Sequence, residues 1–201
     1  SSSAASDVYK RLTEDSSDKE DPQHTGDNAG SMSVTTDEGA SADETQILSA
    51  SSVAENSNLT FGIDVSKYQG TIKWDKVAAG GIDFAMIRVG YRTQKTGEMC
   101  VDTNARYNMQ EAQKNGIKVG VYFFSSAVNE TEAIEEADWV ADYISKYQIT
   151  YPVAFDWELA YGDGSYDTIT KVCETFCDVI AASGYKPMVY SNKYRWYDAF
   201  N

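Results

Sequence analysis

Apolar residues cluster in five short runs in the second part of the chain. The runs cover residues 61–65, 84–89, 118–124, 152–157 and 186–190, and β-branched and aromatic side chains dominate them. Runs of this length and composition are typical of parallel strands that are buried on both faces. The pattern therefore predicts five buried strands.

The segments between these runs carry apolar residues three and four positions apart, which predicts helices. A shorter helix is expected over residues 74–79. In one longer helix, the expected apolar stripe consists of Ile134, Ala137, Ala141 and Ile144. Capping chemistry also suggests where the longer helices begin and end. Asp102, Asn129 with Glu132, and Asp167 are expected at the beginnings, and Gly116 and Gly184 at two of the ends.

Strands and helices alternate along the predicted domain, which implies a parallel sheet joined by right-handed crossovers. The fold class is therefore α/β. The pattern alone does not distinguish a closed barrel from an open, doubly wound sheet. No glycine-rich phosphate-binding motif follows any of the predicted strands, which makes a nucleotide partner less favoured.

Composition divides the chain into two unequal parts. Residues 1–60 contain one aromatic residue, Tyr9, and carry 12 acidic and 3 basic side chains, while the other 24 aromatic residues follow later. A segment so poor in apolar surface cannot offset the entropy that ordering it costs. We predict a disordered acidic tether over residues 1–59 and a globular domain over residues 60–201. Whether the tether is a spacer or a tail without a partner stays open.

Charge and cysteine content narrow the classes of function. The net charge of -14 argues against nucleic acid and against anionic lipid as partners. No apolar run approaches the roughly 20 residues that span a bilayer. Cys173 and Cys177 lie four positions apart, but His24 is the only histidine and falls in the tether. These two cysteines are therefore expected to be packing residues rather than metal ligands.

Carboxylates stand where two of the predicted strands end. Asp64 ends the first strand, while Asp156 and Glu158 end the fourth and share one face of it. Strand ends form the site in parallel α/β folds, so these carboxylates should converge and raise the pKa of at least one of them. A proton-holding acid beside an ionised partner is what glycoside hydrolysis requires. Helix capping, or an oxygen-ligated Mg²⁺ or Ca²⁺ site, is the alternative interpretation.

Several motifs together resemble glycoside hydrolase family 25, the lysozymes (N-acetylmuramidases) of the Chalaropsis type. The resemblance runs in register through residues 60–201. It is carried by GIDVSKYQG at 62–70, IKW at 72–74, FAMIRVG at 84–90, VGVYFF at 119–124, AFDWE at 154–158 and KPMVYSN at 186–192.

The resemblance implies a modified (β/α) TIM-like barrel. It also implies an enzyme that hydrolyses the β-1,4 bond between N-acetylmuramic acid and N-acetylglucosamine in bacterial cell walls. On the family pattern Glu158 is the general acid. Asp156 is its partner, which orients the 2-acetamido group of the substrate or stabilises the transition state. Asp64 is a further active-site carboxylate.

Three further residues match substrate-binding positions of the family. Arg88 matches a basic position at the end of the second strand, and Tyr122 and Tyr190 match positions that line the sugar site. No cofactor and no metal are expected, because the globular part has no histidine and carboxylates suffice for this chemistry. The expected partner of the protein is the glycan strand of peptidoglycan. The protein is expected to be extracellular or tethered to the cell surface, with a possible membrane or wall anchor outside this segment.

The family barrel has eight strands, whereas the pattern predicts five. We therefore expect the chain to hold the first five βα units of a longer protein, with the closing strands missing. Unpaired strand edges would favour association of such a segment on its own. A non-catalytic module that binds cell-wall glycan, or an inactive fragment, is the alternative function. A metal-dependent carbohydrate deacetylase is disfavoured because the globular part has no histidine.

Overall fold

A computed structural model of the protein describes residues 60–158 and 165–191, which form one parallel sheet and the helices that cover it. The strands are β1 (Gly62–Val65), β2 (Phe84–Arg92), β3 (Met99–Val101), β4 (Lys118–Ser125), β5 (Val153–Trp157) and β6 (Pro187–Tyr190). The helices are α1 (Trp74–Ala79), α2 (Ala105–Lys114), α3 (Glu130–Ile144) and α4 (Tyr166–Ala182), and a 3-10 turn covers Lys67–Gln69.

Five strands pair in parallel in the order β1-β2-β4-β5-β6, which confirms the predicted alternation of strands and helices. The sequence pattern missed β3, which pairs antiparallel with the end of β2. Three residues are too short to show a strand period, and Cys100 lies in this strand. Beyond a register shift between Arg88 and Gly90, β2 continues to Arg92, so it is longer than predicted.

The core lies between the sheet and the helices. Alternate strand residues such as Ile87, Val121 and Phe155 are completely buried there, together with Phe176 of α4. The rings of Phe155 and Phe176 lie 4.5 Å apart. Since burial of one such side chain contributes about 1.5–3 kcal/mol, this helix-covered side supplies most of the hydrophobic stabilisation.

Helix ends match the predictions only in part. Asn129 caps α3 as expected, because its side chain accepts from the backbone N–H of Glu132. Ser165 caps α4 in the same way, so the prediction that Asp167 begins this helix was wrong by two residues. The side chain of Asp102 does not cap α2. It accepts from the N–H of Asn104, the N-cap residue, and pairs with Arg88 instead.

The apolar stripe of α3 agrees with the predicted one at Ala137 and Ile144 and differs at its other two positions. Ile134 is 43% exposed, whereas Ala133, Ala137, Val140 and Ile144 are buried. The N-cap had set the correct beginning of the helix, but the apolar spacing allowed two overlapping stripes, and packing against the sheet selects the one that includes Ala133 and Val140.

Two predictions fall outside the described residues. They are the acidic tether over residues 1–59 and the part of the predicted globular domain that follows Ser191. Within residues 60–158 and 165–191, no helix has the length and apolar character needed to cross a membrane.

Candidate active site

An open cleft of about 190 Å³ lies on the face of the sheet opposite to the core, toward the carboxyl ends of the strands. All five parallel strands or the residues that follow them contribute to it. The lining residues are Asp64, Met86, Tyr122, Ala154, Asp156, Glu158, Met188 and Tyr190. Three predicted carboxylates and both predicted tyrosines are therefore brought together.

Strand register explains this convergence. Asp64 of β1 pairs with Met86 of β2, and Asp156 of β5 pairs with Tyr190 of β6. Alternate residues of a strand point to opposite faces, so the neighbours of the core residues along the chain face the cleft. The prediction that Asp156 and Glu158 point the same way agrees with this geometry, because both line the cleft.

Three cleft residues were not predicted, namely Met86, Ala154 and Met188. The signal was available, because Met86 lies two positions from Arg88 and Ala154 two positions from Asp156 on the same strand face. Gly120 on β4 makes room for Met86. A Cβ atom at Gly120 would lie 2.5 Å from the Met86 sulfur and 2.7 Å from the carbonyl oxygen of Pro152.

Asp156 is the most deeply buried carboxyl of the cleft, with 4% of its surface exposed. Burial is the main reason that its pKa lies well above the usual range, and the negative charges of Glu158 and Asp64 and a hydrogen bond with Glu158 raise it further. The charge of Arg88 opposes this rise in pKa. Oδ1 of Asp156 has no hydrogen-bond partner among the described residues. Burial and the neighbouring negative charges thus favour the protonated form of Asp156.

Glu158 is only half-buried and shares a hydrogen bond with Asp156. Burial raises its pKa, the hydrogen bond with Asp156 lowers it, and the charge of Asp64 raises it again. Burial and the nearby negative charge raise the pKa of both groups, which favours a form of the pair that retains a proton.

Asp64 and Tyr190 form the exposed rim of the cleft. Partial burial raises the pKa of Asp64, against a backbone hydrogen bond that lowers it. The phenol of Tyr190 is 50% exposed, and its pKa is raised by burial first and then by the charges of Glu158, Asp156 and Asp64. An aromatic face and a carboxylate on the same rim offer the two kinds of contact that a sugar needs.

Arg88 shares a strand face with Met86 but is not one of the residues that line the cleft. Its side chain is completely buried, and Nε donates to Asp102 Oδ2 at 2.8 Å. The substrate-binding role of Arg88 stays a prediction. The charge of Arg88 nevertheless reaches the site, because it lowers the pKa of Asp156.

The described ranges contain no group of three or more His, Cys, Asp or Glu side chains arranged to hold a metal ion. Cys173 is buried on α4, as expected of a packing residue, and burial raises the pKa of its thiol to about 12. A nucleophilic or metal-binding thiolate is not favoured at such a pKa.

The family profile described as glycosyl hydrolases family 25 matches residues 63–201 of this chain. Among curated proteins, the uncharacterized protein YegX of Escherichia coli strain K12 is 28% identical over 131 residues, which cover 65% of this chain and 47% of YegX. The chain therefore spans about half the length of the curated relatives that it matches.

Solved structures show the same fold. The modular autolysin LytC of Streptococcus pneumoniae superposes with a TM-score of 0.59 at 30% identity, over 68% of this chain and 33% of LytC. A second structure of LytC is a complex with a synthetic peptidoglycan ligand. A family 25 glycosyl hydrolase of Bacillus anthracis has a TM-score of 0.56 at 23% identity, over 69% of this chain and 63% of that protein. The sheet and its helices thus correspond to part of a TIM-like barrel.

Proposed function

Because this chain belongs to glycosyl hydrolase family 25, we propose that its cleft hydrolyses the glycan strands of bacterial peptidoglycan. The proposed bond is the β-1,4 linkage between N-acetylmuramic acid and N-acetylglucosamine. The observation that carries the proposal is that Asp156 is buried beside the more exposed Glu158 in the cleft, where burial and nearby negative charge raise the pKa of both groups. Hydrolysis of a glycoside needs such an acid beside a carboxylate.

In the proposed mechanism Glu158 delivers the proton. It is the more exposed member of the pair, so the leaving oxygen of the substrate can approach it, while Asp156 stays buried beneath. As the proton passes through Glu158 to that oxygen, the bond from the oxygen to the anomeric carbon breaks and the sugar gains positive charge. Water then adds to the anomeric carbon, and its proton returns to the carboxylate pair.

The other cleft residues stabilise charge and orient the sugar. Asp156, ionised once the proton has left, orients the 2-acetamido group or stabilises the positive sugar, and Asp64 adds a second negative charge. The rings of Tyr122 and Tyr190 are proposed to contact the pyranose faces. Arg88 acts on the cleft through its charge.

The substrate class implies where the protein works. Peptidoglycan lies outside the cytoplasmic membrane, so we propose that the protein acts in the extracellular space or from the cell surface. The description of LytC as an autolysin supports this proposal, as does the LytC complex with a peptidoglycan ligand. The acidic residues 1–59 would then separate the domain from its anchor.

The test is digestion of purified peptidoglycan by the full-length protein. Products are reduced with borohydride and analysed by mass spectrometry. We expect reduced N-acetylmuramic acid at the new ends, complete loss of products in Glu158→Gln, and normal products in the matched control Cys173→Ala. Reduced N-acetylglucosamine at the ends would contradict the assigned bond, and an active Glu158→Gln would contradict the assigned acid.

A non-catalytic module that binds the glycan is the alternative. A binding site gains nothing from carboxylates that repel one another, so the cluster of Asp64, Asp156 and Glu158 favours the enzyme. Binding of insoluble peptidoglycan without any new reducing ends would support the alternative. Exhaustive chelation is expected to leave the rate of hydrolysis unchanged, because paired carboxyl groups suffice for this chemistry.

A further inference from the structure

Asp102 is the carboxylate that holds the guanidinium of Arg88. Asp102 Oδ2 accepts from Arg88 Nε at 2.8 Å, and both side chains are completely buried. The rings of Tyr68 and Tyr91 lie 5.2 Å and 5.0 Å from the guanidinium carbon. Arg88 is thus a buried cation with a counter-charge on one side and aromatic rings against it.

The same carboxylate binds the backbone of neighbouring segments. Oδ2 also accepts from the N–H of Lys67 at 3.0 Å, and Oδ1 accepts from the N–H of Asn104 at 2.9 Å. The N–H of Asp102 donates to the carbonyl oxygen of Val89 at 2.9 Å. Because Lys67 follows Asp64 by three residues, Asp102 ties the end of β1 to β2 and to the beginning of α2.

We propose that Asp102 is a positioning residue for the acidic cleft. It holds the Arg88 guanidinium, whose charge acts on Asp156, and it fixes the backbone that follows Asp64. Asp102 does not line the cleft, so it acts through these two neighbours. The expected effect of Asp102 on turnover rests on the proposed hydrolysis. Its role in holding Arg88 and the backbone after Asp64 rests on the contacts of Asp102 alone.

The charges around Asp156 indicate that Asp102 and Arg88 together affect its proton affinity. Arg88 is the cation whose charge lowers the pKa of Asp156, against burial and the charges of Glu158 and Asp64. The negative charge of Asp102 offsets part of the positive charge of Arg88, because the two groups are in direct contact. The groups that face Asp156 are Asp64 from β1, Arg88 from β2, Tyr122 from β4, Tyr190 from β6 and Glu158 from its own segment.

Two substitutions should therefore shift the proton affinity of the pair in opposite directions. Asp102→Asn keeps the shape and leaves Arg88 with less counter-charge, so the titration of Asp156 and Glu158 should move to lower pH. Arg88→Met removes the cation, so the titration should move to higher pH. A role confined to packing would give no movement, or movement in the same direction in both variants.

The experiment uses the full-length protein and follows the side-chain carboxyl carbons of Asp156 and Glu158 by NMR across the pH range. Asp138→Asn, an equal change of charge at an exposed position of α3, is the matched control and should leave the titration unchanged. In hydrolysis assays we expect kcat to fall by about tenfold or more in Asp102→Asn with little change in KM, because misplaced groups lower turnover.

A double variant guards against loss of folding. Apolar residues of similar volume often replace a buried ion pair without loss of stability, so Arg88→Met with Asp102→Leu should fold. Its titration should move to higher pH, as in Arg88→Met. Titrations that match the wild type, or loss of folding in both Asp102 variants, would overturn the inference. A wild-type protein that does not cleave peptidoglycan would contradict the proposed function alone, since the titrations still test the role of Asp102.

Discussion

The two faces of the parallel sheet differ in almost every property, although they alternate along the same strands. On the helix-covered face Ile87, Val121 and Phe155 are completely buried among apolar neighbours. On the cleft face Asp156 is buried among groups that raise its pKa, and Tyr190 at the edge is 50% exposed. One face supplies stability, and the other carries the proposed chemistry.

Phe155 and Asp156 show how closely the two roles lie together. They are consecutive residues of β5, but the alternation of a strand sends one toward α4 and the other into the cleft. Burial of the phenyl ring stabilises the fold. Burial of the carboxyl, beside Glu158, costs free energy whenever both groups are ionised. Stability and reactivity are therefore separated by a single position in the sequence.

The largest effect is expected from Asp156→Asn on the cleft face. The amide keeps the shape but cannot share the proton, so turnover on peptidoglycan should fall by about 10²- to 10⁴-fold. The free energy of unfolding at neutral pH should rise, because a buried carboxyl with unfavourable neighbours has been removed. Initial rates and denaturant titrations of the full-length protein test both expectations. A variant that is both active and less stable would contradict the separation of roles.

Phe176→Ala tests the opposite face. The ring of Phe176 is completely buried against Phe155, so its removal should lower the free energy of unfolding by about 3–5 kcal/mol. The matched substitution Met188→Ala, in the half-open cleft, should cost less than about 1.5 kcal/mol. Equal losses in the two variants, measured by denaturant unfolding, would show that both faces carry the core.

A buried carboxyl on the helix-covered side sharpens the comparison. Burial raises the pKa of Glu136 from 4.5 to about 7, although the charge of Arg92, 2.8 Å away, opposes the rise. The folded state then holds a proton that the unfolded state has lost. The contribution of Glu136 to stability is therefore fully present below about pH 4.5 and is lost as the pH rises through about 7.

Glu136→Gln should flatten the dependence of unfolding free energy on pH in that window, by up to about 1.4 kcal/mol per pH unit. The pH profile of hydrolysis should keep its shape, because Glu136 lies outside the cleft. Unfolding at a series of pH values, together with rate profiles, provides the measurement. If Glu136→Gln changed the dependence of the hydrolysis rate on pH, the chemistry would not be confined to the cleft face.

The smallest effect is expected from Cys173→Ala. Cys173 packs on α4 within the core cluster, so the substitution should cost about 1 kcal/mol of stability and leave turnover unchanged. If the Cys173 thiol of the native protein were labelled at a rate near that of free cysteine, its burial would be contradicted.

Much of this arrangement was predictable from the sequence, because strand periods and strand-end carboxylates are local signals. The five parallel strands and the meeting of Asp64, Asp156 and Glu158 followed from those signals. Other features depend on contacts between distant residues. Arg88 has the position of a substrate contact in the sequence, but only its pairing with Asp102, 14 residues away, shows that it is buried. The short strand β3 likewise forms only because β2 extends far enough to pair with it.

The most direct test of the separation between the two faces is a paired measurement on Glu158→Gln in the full-length protein. Turnover on purified peptidoglycan and the free energy of unfolding are determined side by side with the wild type. We expect turnover to fall by orders of magnitude while the free energy of unfolding stays equal or rises. Retained turnover, or a loss of stability comparable with that of Phe176→Ala, would contradict the assignment of the chemistry to the cleft face.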